Sequence, residues 1–129
     1  MPNVDLKFIL TCDNAFFSER EKKLNIIGVF DIINTIGFPA VHPNMSIVVS
    51  CNVNAGNHEE FIIMKKNNYT FLKDGVKFNK IIEGNHQIIH NIRNLMINSE
   101  DDIVIEVYVD NKETPIGKEI IKVKKIEHA

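Results

Sequence analysis

The amino-terminal run VDLKFILTC alternates, with Val4, Leu6, Phe8, Leu10 and Cys12 on one side and Asp5, Lys7 and Thr11 on the other. Successive side chains of a strand point to opposite faces, so this is the pattern of a half-buried strand. Residues 13–23 turn polar, end in SEREKK and read as a connection. MSIVVSCNV alternates again, placing Met45, Ile47, Val49, Cys51 and Val53 inward, and NAGNHEE closes it as a loop. EFIIMKKNNYTFLKDGVKFNKII reads as three short strands. Asn67–Asn68 tolerates positive φ, and Asp74–Gly75 is a hairpin signal. Farther on, Ile103, Ile105, Val107 and Val109 face in, Glu106 and Asp110 face out, and Asp110–Asn111 turns into a last strand. Turn signals recurring at this rate favour an all-β sandwich or barrel.

Two segments are harder to place. LNIIGVFDIINTIGFPAVHP, Leu24 to Pro43, is the most apolar stretch. A membrane span needs about 20 predominantly apolar residues. Here Asp31 lies near the middle between Asn25 and Asn34, and Gly28, Gly37 and Pro39 break the run. The dominance of Ile and Val favours a pleated surface over a helix, and the residue before a proline avoids the helical region. The expectation is a strand over residues 24–33 and a crossing loop over 34–43. QIIHNIRNLM, Gln87 to Met96, sets Ile88, Ile89, Ile92, Leu95 and Met96 on one helical face. Period 3.6 fits it better than period two, and helix and strand both stay open.

Length and composition bound these elements to one domain, residues 1–129, large enough to bury a core without a disulfide or metal. The net charge of −2 gives no field strong enough to gather nucleic acid or acidic membrane. Lysine outnumbers arginine 13 to 2, and asparagine and isoleucine are also heavily used; an AT-rich genome gives that bias through codons alone. Cys12 and Cys51 fall on alternating apolar segments and read as buried free thiols in a reducing compartment. Residues 1–10 contain no unbroken apolar core of a secretory leader, so the expected location is cytoplasmic.

The segment CDNAFFSEREKKLNIIGVFDIINTIGFPAVHPNMSIVVS resembles a family of small uncharacterised bacterial and phage proteins, known as a domain of unknown function. Cys12–Asp13, Asn14–Ala15, Lys23–Leu24, the Gly28–Val29–Phe30–Asp31 step and Phe38–Pro39–Ala40 with His42–Pro43 carry the resemblance, joined later by Asn94–Ile97 and IVIEVYVDNKE. Ser99–Asp102 departs from it, standing where the family tends to have a proline–glycine turn. The resemblance implies an Ig-like antiparallel β-sandwich with residues 85–97 extended. It implies no activity.

Candidate chemistry is sparse. HQIIH, His86 to His90, looks like the zinc-protease pattern, but Gln87 stands where that pattern needs a carboxylate base. On a strand the two histidines lie about 13 Å apart, too far for one zinc. His58–Glu59–Glu60 reads as a solvated strand entrance, and SEDD lacks the alternating spacing of a calcium loop. Lys118, Lys122, Lys124 and Lys125 form a basic edge that blunts an exposed strand, with no aromatic residue interleaved for nucleic acid. The expectation is therefore a non-enzymatic interaction module with no catalytic residues, metal or cofactor. It acts on a protein partner or on copies of itself, not on nucleic acid or membrane. The rival is a small-ligand-binding domain, hydrolytic in its strongest form, with Asp31, His42 and His58 in loops at the sandwich ends.

Overall fold

The structure, a computed structural model, describes residues 4–127; the first three residues of the segment weighed as a leader lie outside it. Among the described residues it holds strands and no helix: β1 (Asp5–Phe17), β2 (Leu24–Val29), β3 (Ile32–Thr35), β4 (Ala40–Val53), β5 (Gly56–Lys66), β6 (Tyr69–Lys80), β7 (Gly84–Ile97), β8 (Ile103–Val109) and β9 (Gly117–Lys125). Two sheets form, ordered β2-β1-β4-β7 and β3-β9-β8-β5-β6. They share one apolar core, with Ile47, Val49, Ile88 and Ile92 from the first and Ile62, Met64, Ile105 and Ile121 from the second.

The apolar run from Leu24 is not one strand. It divides between the two sheets, which corrects the expectation of a strand over 24–33 and a loop over 34–43. Gly28, at φ +71°, and the Phe30–Asp31 corner make the division. The Phe30 amide donates to the Thr11 carbonyl at 2.9 Å, and the Thr11 hydroxyl donates back to the Phe30 carbonyl. The Lys122 amide then captures the Asp31 carbonyl at 2.8 Å, so the chain enters the second sheet alongside β9. The β3–β9 pairing is parallel, which corrects the expected wholly antiparallel architecture.

Irregularities in the ladders reverse several inward and outward assignments. The register of β1 against β4 shifts between Leu6 and Phe8. Beyond that point Ile9 and Thr11 stand opposite the core residues Val49 and Ile47, while Phe8, Leu10 and Cys12 turn outward opposite Ser50, Val48 and Ser46. A one-residue slip moves a whole apolar set to the other face. The displaced side chains are still covered: Cys12, Ala15 and Val48 form a second buried cluster beneath Phe8, Leu24, Ile26 and Ile89. The far half of the β1–β2 hairpin thus lies over the outside of its own sheet. In β7, which is strand throughout, Ile88, His90 and Ile92 face inward. Asn94, at φ +53°, then shifts the phase so that Leu95 and Ile97 reach the core. That shift produced the helix-like spacing in the sequence.

The Asn67–Asn68 turn forms with both residues at positive φ, as does Asp110–Asn111. Asp74–Gly75 is no turn, because β6 runs straight through it. Gly75 stands opposite Phe61, where an added Cβ would come within 3.0 Å of the Phe61 Cβ and 3.2 Å of the Glu60 carbonyl oxygen. Nor is β9 an exposed edge, since it pairs with both β3 and β8.

Candidate functional site

Ile62 and Met64 set the inward phase of β5, and the same alternation carries two polar residues, Glu60 and His58, to the inner side. Glu60 is wholly buried and meets His90, which projects from β7 in the opposite sheet. The His90 Nε2 lies 2.8 and 2.9 Å from the two Glu60 oxygens, and its Nδ1 lies 2.7 Å from Asp74 Oδ2 on β6. A neutral imidazole has one donor and one acceptor, whereas carboxylates only accept. Both ring nitrogens therefore donate, and His90 is an imidazolium held between two anions. Burial pulls its pKa down, but the Glu60 bond and charge, followed by those of Asp74, outweigh it and the net shift is upward.

A second histidine is bound in the same way at the end of the sheets where β4 finishes. The His58 Nδ1 lies 2.7 Å from Asp110 Oδ2, and its Nε2 lies 2.7 Å from the Asn54 carbonyl. Asp110 also accepts from the Glu59 amide at 3.0 Å, which fastens the β8–β9 turn to β5. Burial lowers the His58 pKa, but the bond to the Asn54 carbonyl and then the Asp110 bond and charge raise it by more, so the net direction is up. Next to it His86 stacks on Phe78 with centroids 3.8 Å apart. Burial first, then the Lys80 and His58 charges, lower the His86 pKa and keep it neutral. Around His58 opens a cleft of about 730 Å³ lined by Asn57, Glu59, Lys77, Phe78, Asp110 and Asn111.

The residues singled out from sequence do not converge. His42 packs against Phe30 at the start of β4, with its Nε2 buried and unpartnered. Asp31 borders a separate recess with Thr11 and Glu119. From His42 to Asn54, beside His58, β4 spans on the order of 40 Å at about 3.3 Å per residue, so the rival set of Asp31, His42 and His58 is not assembled. His86 and His90 take different partners, and among the described residues no group of three or more His, Cys, Asp or Glu is placed to hold a metal. Cys12 and Cys51 are buried and free. Burial, then the Glu60 charge, pushes the Cys51 thiol up to about 11. Among the described residues no helix is long and apolar enough to cross a membrane.

Sequence reasoning missed the Glu60–His90–Asp74 bridge. Its signal was present in β5, because extending the Ile62–Met64 alternation backwards brings Glu60 and His58 inside. Reading Asp74 as a turn residue hid the third member. Glu106, outward as expected, is nonetheless buried. Lys65 at 2.9 Å, the Tyr108 hydroxyl at 2.9 Å and Lys118 at 3.6 Å cover it. Burial raises its pKa, and the Lys65 and Tyr108 bonds lower it by more.

Fold and contacts together define a two-sheet, all-β protein whose interior histidines join one strand to another. The chain belongs to a family of unknown function (DUF6941), whose model matches residues 7–116. No curated protein matches the chain significantly.

Proposed function

We propose that this chain is a non-enzymatic, immunoglobulin-like sandwich module that acts by contact with another protein or with copies of itself. One observation carries the reading. The edge strand β2, LNIIGV, holds no charged residue and leaves Ile27 and Val29 more than half exposed beside Phe16. Edge strands are ordinarily blunted with charge: the edge strand β6 carries Lys73, Asp74, Lys77 and Lys80, and β7, at the opposite edge of the first sheet, carries Arg93. An unblunted edge with apolar side chains is suited to strand addition. Native mass measurement across concentration, with partner recovery from the source cell, tests it. Ile27→Lys is expected to abolish self-association or partner recovery. A strict monomer with no recovered partner contradicts the reading.

A second reading, small-ligand binding, draws support from the cleft around His58 and Phe78. Both ring nitrogens of His58 are engaged, so the cleft supports binding and offers no histidine base for hydrolysis. A thermal-shift screen against nucleotides, sugars and metals separates the readings: a shift of several degrees lost in Phe78→Ala favours the ligand.

A further inference from the structure

The two sheets present unlike outer faces. Over the β1–β4–β7 layer the chain lays its own hairpin, burying Val48 and Cys12. The outer face of the five-stranded sheet stays open, and its central Phe61, Ile63, Val104 and Tyr108 are only partly buried. Register places Lys65 of β5, Lys73 and Lys77 of β6, and Lys118, Lys122 and Lys124 of β9 on this face. Its in-strand carboxylates are Glu59, across from Lys77, and Glu106, which Lys65 and Lys118 already neutralise; the acidic turn of Glu100, Asp101 and Asp102 borders the face beside Val104 at one end. A chain of net charge −2 thus gathers a surplus of lysines on one side. We infer that this face docks an extended acidic segment of a partner protein.

The spacing fits. Lys122 and Lys124 stand two residues apart on one strand, about 6.7 Å, and same-side carboxylates of an extended peptide repeat at that interval. Aromatic rings do interleave the lysines once the strands pair, which the linear sequence concealed, but they are not free to stack on bases. Phe61 lies between Tyr108, stacked at 4.9 Å, and the Lys73 ammonium, 4.3 Å from its centroid. Single-stranded nucleic acids need open ring faces for stacking. The face also lacks arginine, the residue suited to bidentate phosphate recognition; Arg20 and Arg93 lie elsewhere in the chain.

The inference rests on the reading of the chain as a contact module but uses a different surface, so the two are tested separately. The probe is fluorescent poly-L-glutamate titrated with the full chain, with a single-stranded oligonucleotide of equal charge and anionic vesicles as further arms. Binding of polyglutamate is expected to weaken about tenfold from low to physiological salt, as screening of exposed charges requires. It is expected to weaken at least about tenfold in Lys77→Glu/Lys122→Glu/Lys124→Glu, and to hold in Lys22→Glu/Lys23→Glu. If the reversed variant misfolds by circular dichroism, the Lys→Gln set at the same three positions replaces it. Ile27→Lys is expected to leave this binding unchanged even where it abolishes self-association. Three results each overturn the inference: no polyglutamate binding at low salt, equal loss on reversing Lys22 and Lys23, or tighter binding of the oligonucleotide or vesicles.

Discussion

Replacing His90 by alanine removes the cation between Glu60 and Asp74. Their situations differ: the Glu60 side chain is wholly buried, whereas that of Asp74 is 51% exposed. Water can take over Asp74 but cannot reach Glu60. Breaking a buried pair by deleting one partner costs about 3–5 kcal/mol, because a charge is left without compensation. Against a total stability of about 5–15 kcal/mol for a domain, that is a large share. At roughly 4 °C per kcal/mol for a chain of this size, the midpoint falls by about 12–20 °C. Asp74→Asn, by contrast, costs less than about 1 kcal/mol, as exposed ion pairs do. Glu60→Leu/His90→Leu removes both charges and is expected to be neutral or stabilising relative to wild type, since apolar residues of similar volume often replace buried pairs without loss. The assay is urea unfolding at constant m. A His90→Ala loss below about 1 kcal/mol, or a Leu/Leu variant as unstable as the single mutant, refutes the reasoning.

Other consequences are open to measurement. The pKa values of His58 and His90 are raised above their unfolded value, so their stabilisation is complete below about 6.5 and is lost as pH rises through the folded values. His86 is shifted the other way, and comparison with the Leu/Leu variant isolates the His90 share. Wild type is expected to lose more stability than that variant between pH 6 and 9, and equal or reversed slopes contradict it. Gly28→Ala forces a left-handed backbone on an alanine and drives its Cβ into the Asp13 carboxylate. The expected loss is at least about 1–2 kcal/mol, and an unchanged urea midpoint contradicts it. Cys12 and Cys51 are expected to resist a thiol reagent until the protein unfolds, since each is buried with a raised pKa; prompt labelling of either in the native state contradicts the packing.

Much of the strand content was legible because alternation is local. The inward sets of β4 and β8 read off directly: Met45, Ile47 and Val49, then Ile103, Ile105 and Val107. Among the features that were not legible, three show how a non-local event decided the outcome. The shift after Leu6 depends on pairing with β4, so Phe8 and Leu10 read as core although Ile9 is. Asn94 changes phase in mid-strand, which gave β7 its helical disguise. Asp74–Gly75 has the chemistry of a turn, but Phe61 across the ladder uses the missing Cβ to keep the strand straight. The histidine bridge was half legible. His90 shared a face with Ile88 and Ile92 in a strand reading, while its partners lie 30 and 16 residues away on other strands.

The central claim is that the buried histidines His58 and His90 are structural cations. Nitrogen NMR of the imidazoles followed through a pH titration tests it most directly. The account predicts that His58 and His90 keep both ring nitrogens protonated to a higher pH than an unfolded imidazole, and that His86 loses its proton at a lower one. Loss of the proton from His58 or His90 at or below the unfolded value would contradict it.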